Sequence, residues 1–415
     1  MNSKHSSWEK FQKSIKILLL LSLFLNAFPH VNSIRDIAFY SALCGFLIFS
    51  YKKKIKLRYI SPILVPIILL FVWATVTTVT AYEVGDSFDS LFSHLIRYVI
   101  LLFVTVNILD CPRKMEWLLG TFILSTLIFC FGAIVYFYFF KSNPWSVRLG
   151  FPSMAHNIIC FGPNLSAIFA FYFLRSTDRK AIKILMLGSI LIFIASTYLT
   201  QSRGGILSLA CSFGFILFLE KRYNQILIFL LVISVLMMVS PVKKRFLTQQ
   251  FASNTHRIGT IHYYLEVFKD HPLMGIGFAI DTFKNEKIYA NKNYFDRIPE
   301  RYRKDLYTTL PHSMFLSVLV RMGLVGFAIY LYILGVYFYM GIKVYIHENR
   351  YKKFSVALMG GMIVFLVGGM FEPVFIHYLD TIFFALLAMN IVLWWSSPNA
   401  SMRRIKSSCK DSGTL

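Results

Sequence analysis

Apolar runs of helix-spanning length, broken by short polar connections, fill the chain from residue 15 to residue 395. They lie at 15–29, 34–51, 60–80, 93–109, 116–140, 158–174, 182–200, 204–220, 224–241, 313–340, 353–371 and 374–395. A helix needs about 20 apolar residues to cross a bilayer, whereas a barrel strand needs roughly ten of alternating polarity. These runs are continuous, so the pattern predicts an all-α fold, a polytopic transmembrane helix bundle of about 12 spans. With 56% of 415 residues hydrophobic, a soluble domain could not hide the excess, and the bilayer must be the solvent.

Charge then orients the spans. Every second connection is basic: the N-terminus with Lys10, Lys13 and Lys16, then 52–58, Arg113-Lys114, 175–183, Lys221-Arg222, 343–353, and the tail with Arg403-Arg404. The intervening connections are poor in Lys and Arg, as in 81–93 with Glu83, Asp86 and Asp89, or the turn at Glu372-Pro373. By the positive-inside rule the basic set and both termini are cytoplasmic. The net charge of +23 is thereby a topology signal and implies no nucleic-acid partner. Residues 17–28 follow lysines as a signal peptide would, yet no small-x-small cleavage site follows, so an uncleaved first span is expected.

The alternation divides the chain into spans 1–9 over 1–241, a large periplasmic loop over 242–311, and spans 10–12 with a cytoplasmic tail over 312–415. Long loops escape the charge rule, so the basic residues of 242–311 do not count against an outer location. Within that loop, Ile258, Ile261, Leu265 and Phe268 have the spacing of one apolar helical face, which predicts an amphipathic helix over 257–269. His271-Pro272 and Gly275-Ile276-Gly277 should end it. Residues 284–304, dense in charge and Tyr, read as a mobile polar lobe.

Three outer positions carry candidate chemistry. Thr200-Gln201-Ser202-Arg203-Gly204-Gly205 puts an Arg and a Gly pair at a helix start. There a guanidinium fork, helix N-terminal amides and close backbone approach, with Ser202 and Gly204 beside Arg203, can act on one oxyanion. Arg257 opens the amphipathic segment, and His312 follows Pro311 at the start of the tenth span. At that position a helix N-terminus and a nearby Arg disfavour imidazolium, leaving His312 neutral and able to accept a proton. The competing reading is the same at all three: headgroup-contacting residues at the interface.

Three other charges have structural readings ahead of functional ones. Arg97 lies within the fourth span and must have a partner, either a buried pair or the lipid phosphate path. Arg321 lies inside the tenth span, to pair in the bundle or hold the inner end of a site. Glu372 reads as an exposed turn carboxylate, with orientation of His312 or binding of acceptor hydroxyls as the alternative. The six cysteines are scattered, with no Cys-x-x-Cys spacing, so neither a disulfide framework nor a zinc site is expected.

Taken together, Thr-x-Ser-Arg-Gly-Gly at 200–205, Arg257 with His271-Pro272-Leu273-Met274-Gly275-Ile276-Gly277, and His312-Ser313 followed by Arg321-Met322-Gly323-Leu324-Val325-Gly326 resemble the signature of the bacterial O-antigen ligase and O-antigen polymerase superfamily. The resemblance implies a metal-independent, membrane-embedded glycosyltransferase without cofactors, whose donor is a glycan on undecaprenyl pyrophosphate. It assigns the diphosphate to Arg203 and Arg257 and acceptor activation to His312, which agrees with what two guanidinium groups and a neutral imidazole can do. Two residues depart from the family pattern: Ser313, where Asn is frequent, and Arg321, where another polar or acidic residue is common.

Within that class, the expected activity is an O-antigen ligase of lipopolysaccharide biosynthesis in the cell inner membrane. It would transfer polysaccharide to lipid A-core oligosaccharide by an inverting displacement at the anomeric carbon. The nearest alternative is an O-antigen or exopolysaccharide polymerase, which commonly has two sizeable outer loops; here 141–157 is short. A lipid-linked glycan transporter or flippase is the alternative of another class, but it would place its polar residues near the bilayer midplane in matching halves. The sequence shows no His-Glu-x-x-His, no Asp-x-Asp and no outward carboxylate pair, so metal or retaining-glycosidase chemistry has no obvious ligands.

Overall fold

The computed structural model describes residues 2–53, 57–151, 156–228, 231, 250–289, 291–303, 310–373, 375 and 377–397. These residues are helical, with no strand element among them. The helices are α1 (Asn2–Leu25), α2 (Asn32–Lys53), α3 (Leu64–Val79), α4 (Val84–Ile108), α5 (Pro112–Phe140), α6 (His156–Ser176), α7 (Lys180–Leu199) and α8 (Arg203–Leu219). They continue with α9 (Gln250–Asp270), α10 (Lys292–Arg297), α11 (Met314–His347), α12 (Lys352–Gly369) and α13 (His377–Trp395). Among the described residues eight helices, α2, α4 to α7 and α11 to α13, are long and apolar enough to cross a membrane, and α3 and α8 are shorter apolar helices. The expected span at 224–241 falls largely outside the described residues.

Two boundaries differ from the hydropathy reading. α4 starts at Val84, not near 93, because Asp86 and Asp89 fall in its opening turns, where the helix dipole favours acidic side chains. It widens to a π-helical stretch at Leu91–Ile96. The second difference is in α11, which is broken at Gly323 (φ 65°, ψ −172°), a backbone region open essentially to glycine alone.

A break inside an apolar helix leaves carbonyls and amides without partners, which hydrocarbon does not tolerate. The His271-to-Gly277 segment supplies them. The N–H groups of Ile276 and Gly277 donate to the carbonyls of Val320 and Arg321, both at 3.1 Å, and the N–H of Leu324 donates to Pro272 O at 2.8 Å. The Trp73 indole N–H completes the set on Met322 O at 2.8 Å. A Cβ on Gly323 would run into the Leu273 carbonyl, and one on Gly275 (φ 72°) into the backbone of Arg321. The two glycine-bearing motifs are thus two halves of one backbone clamp. Gly323→Ala is expected to lower thermal stability, by about 1–3 kcal/mol for the backbone region alone and more for the clash. A melting curve of purified protein checks this, and an unchanged midpoint would refute the clamp.

The centre of the bundle is α6, α12 and α13, the most buried of the spans. Helices in lipid approach one another through small residues, and α12 shows this: a Cβ at Gly360 would lie 2.8 Å from Ile216, one at Gly361 2.8 Å from Leu165, and one at Gly368 2.8 Å from Phe161. Asn164 of α6 ties the neighbouring helices together. Its amide N–H donates to Gly205 O and Ser208 Oγ at 2.8 Å, and its Oδ1 accepts from Thr197 at 2.7 Å.

Over the end of the bundle opposite the basic connections lies a lobe built around α9. α9 contains the predicted 257–269 helix and stops at Asp270 as expected, and of the apolar spacing Leu265 and Phe268 pack against the core of the lobe, whose centre is shifted onto a tyrosine-bearing face. Thr260, Tyr263, Tyr264 and Val267 are buried while Ile258 and Ile261 are exposed. Tyrosine explains the switch, since its ring is apolar and its hydroxyl can be satisfied locally. Tyr263 donates to Ile288 O and accepts from the Asn291 N–H. Nor are residues 284–303 a loose polar lobe: Phe283, Ile288 and Tyr294 form a small core with α9, Ile276, Leu316 and Val320. Among the described cysteines, Cys44, Cys130, Cys160 and Cys211 are free thiols.

Candidate functional site

At the same end, the turn from α7 to α8 is built by Gln201, whose positive φ of 50° reverses the chain tightly. The 141–151 connection braces it through one backbone carbonyl and one side chain. The Gln201 amide donates to Ser146 O at 3.0 Å, and the Arg148 guanidinium donates to Thr200 O at 2.9 Å. Ser202 caps α8, accepting from the Gly205 N–H at 3.1 Å. Arg203 is therefore the first residue of the helix, next to its unpaired amide end.

The Gly pair does something different from what its spacing suggested. A Cβ on Gly204 would lie 2.5 Å from the Phe371 ring, and one on Gly205 2.5 Å from Cys160 Sγ. Protein, not ligand, fills those two faces. Phe371, pressed onto α8 by the missing Cβ of Gly204, presents its ring to the Arg257 guanidinium, whose centre lies 5.3 Å from the ring centroid. Gly204 thus lets an aromatic ring seat on α8 and reach Arg257.

Electrostatics show that Arg257 is the hub. Burial is the main influence lowering its pKa, the Arg203 charge lowers it further, and Glu372 opposes both. His312 is also held below its ordinary 6.5, by burial first and then by the Arg257 charge. Glu372 is buried, 5% exposed, which corrects the expectation of an exposed turn carboxylate. Burial raises its pKa, and the Asn157 hydrogen bond and Arg257 pull it back. The structure therefore brings Arg203, Arg257, His312 and Glu372 into one neighbourhood, drawn from α8, α9, the start of α11 and the end of α12.

Asn157, in the first turn of α6, was not singled out by the sequence. The Ser202 hydroxyl donates to its Oδ1 at 2.6 Å, and its amide donates to Glu372 Oε1 at 2.9 Å. A continuous chain therefore runs from the cap beside Arg203 to the carboxylate facing Arg257. The only sequence signal was a lone Asn at the head of an apolar run. Phe371 was missed for the same reason, an aromatic residue among many.

Ser313 caps α11, its Oγ 3.5 Å from the Leu316 N, a task Asn performs equally well. The departure from the family pattern is conservative in that sense. Arg321 and Arg97 are not brought to this neighbourhood. Arg321 is buried in the bundle, donating to Phe278 O and lying over the rings of Phe278 and Phe375, with the charges of Asp380 and Asp281 near it. Arg97 is paired with Asp36 among the rings of Phe39, Tyr40 and Tyr98.

Comparison with known families adds one finding. Residues 188–331 match the family model described as O-antigen ligase, which bears out the resemblance to the O-antigen ligase and polymerase superfamily. The matched stretch contains Arg203, Arg257 and His312; Asn157, Phe371 and Glu372 lie outside it. No curated protein matches the chain.

Proposed function

Because residues 188–331 match the O-antigen ligase family, we propose that the protein is a membrane-embedded glycosyltransferase of the ligase type. It moves a polysaccharide from undecaprenyl pyrophosphate to a hydroxyl of lipid A-core oligosaccharide at the periplasmic face of a bacterial inner membrane. The observation that carries the reading is the convergence of Arg203, Arg257 and His312 around a buried carboxylate.

In this reading the two guanidinium groups hold the diphosphate, assisted by the amide end of α8. The acceptor oxygen attacks the anomeric carbon from the face opposite the leaving group, and the bond to the diphosphate oxygen breaks with its electron pair. Negative charge grows on that oxygen as it leaves, so the arginines bind the transition state better than the ground state. His312 takes the hydroxyl proton. Glu372, Asn157 and Ser202 keep the arginines in register, and Phe371 limits how far Arg257 can swing. The short connection between α5 and α6 favours ligase over polymerase.

The glycolipid pattern of a deletion strain tests the reading. Complete lipid-linked polymer beside uncapped core is the expected result; core bearing single repeat units would mean a polymerase.

Two further outcomes follow from the charges. If neutral His312 is the base, the acid limb of the kcat/KM profile lies below pH 6.5, because activity requires the deprotonated ring and burial, then the neighbouring Arg257, hold its pKa down. Arg257→Gln removes that repulsion and should move the limb to higher pH; a limb that stays put in the residual activity of Arg257→Gln would separate His312 from the pH dependence. Activity should also survive EDTA, since two guanidinium groups repel a divalent cation from the position the diphosphate takes. Loss of transfer on chelation, restored by a divalent ion, would overturn this mechanism.

A further inference from the structure

At the basic end of the bundle, far along the spans from the candidate site, α1 and α5 flank a groove of about 670 Å³. Its floor is apolar, from Leu20, Leu21 and Phe24 of α1 and Leu124 of α5, and Gly120 opens it, since a Cβ there would meet nothing within 4 Å. Its rim is cationic. Arg113 lines it, and Lys16 lies over the Trp117 ring at 4.8 Å, with Lys13 and Lys114 close enough to repel it. Among the described residues near this edge, Lys114 pairs with Asp110 at 2.6 Å, and the Tyr172 hydroxyl donates to Glu116 of the lining at 2.7 Å.

An apolar slot with Lys16 and Arg113 at its edge fits a molecule with acyl chains and an anionic head. We propose that this groove binds one anionic glycerophospholipid, its phosphate against Lys16 and Arg113 and an acyl chain along Gly120. Neutral lipid would fill the same slot without the Coulomb contribution, so preference for the anionic head is the signature of the site. The inference goes beyond the transferase reading and does not depend on it; a protein that transferred no glycan would still show the preference.

The test is native mass spectrometry of delipidated, purified full-length protein with phosphatidylglycerol, with phosphatidylcholine of the same chains, and with undecaprenyl phosphate. Wild type should bind one phosphatidylglycerol several-fold more tightly than phosphatidylcholine. Lys16→Gln should weaken the first by about fivefold, the usual size of one surface cation's contribution, and leave the second unchanged. Gly120→Leu should block the slot to both glycerophospholipids without disturbing the fold. Gly188→Leu, at a glycine of α7 that also has nothing within 4 Å of a Cβ, should leave binding as in wild type. Equal binding of the two glycerophospholipids, or phosphatidylglycerol binding untouched by Gly120→Leu, overturns the proposal. So does a Gly120→Leu variant that loses undecaprenyl phosphate and keeps phosphatidylglycerol, since the occupant would then be a polyprenyl chain.

Discussion

His312→Ala is expected to slow glycan transfer by roughly 10²-fold or more while leaving donor affinity close to wild type. The separation follows from position. His312 stands at the start of α11, partly open to solvent although neighbouring protein desolvates its ring, and next to Arg257 in charge terms, so a nucleophile could reach it without displacing the diphosphate from the arginines. In this reading truncating it removes no contact to the donor. The binding step should therefore be indifferent to the change, and the chemical step should not. Donor affinity measured beside single-turnover transfer, with folding followed by thermal stability, reads both. Near-normal turnover, or donor binding lost as badly as in an arginine variant, would return His312 to the headgroup-contacting residues.

Arg257→Ala should do the opposite and weaken both steps, with the largest combined loss in kcat/KM of any single change considered. Arg257 contributes to binding through its charge and to the barrier because charge on the leaving group grows as the bond breaks. It also faces Glu372, so its removal leaves a buried carboxylate without its cationic neighbour, a second cost that Arg203→Ala does not incur. Arg257→Lys should recover only part of the loss. An ammonium keeps the point charge but lacks the planar fork that holds two oxygens and sits over the Phe371 ring. Full recovery by lysine would mean that the fork and the ring contact are dispensable.

The helices were legible from hydropathy because the bilayer imposes one requirement, continuous apolar length, and among the described residues eight helices meet it while α3 and α8 are apolar but shorter. The break in α11 was not legible that way. Met322-Gly323 sits in an unbroken apolar run, and only the partner segment ending at Gly277 reveals that the helix opens there to be clamped. The α9 face was legible only in part, at Leu265 and Phe268, because tyrosine counts as polar in a spacing argument and as apolar in a core. At the site, Arg203, Arg257 and His312 could be picked out because charge is conspicuous at a span end. Asn157, Phe371 and the burial of Glu372 could not. Each acts through a contact between helices distant in sequence, and a neutral amide, an aromatic ring or a turn carboxylate carries no mark of such a contact.

The central claim is that Arg203, Arg257 and His312 form one site for transfer from a polyprenyl diphosphate. Its most direct test supplies purified protein with lipid-linked polysaccharide and lipid A-core acceptor, and measures capped core and released undecaprenyl pyrophosphate in the same reaction. The account predicts that the two products appear in equal amounts with wild-type protein, and that both fall together in Arg203→Ala, Arg257→Ala and His312→Ala. Carrier release without capped core, lengthening of the lipid-linked chain in place of capping, or transfer undiminished in all three variants would contradict it.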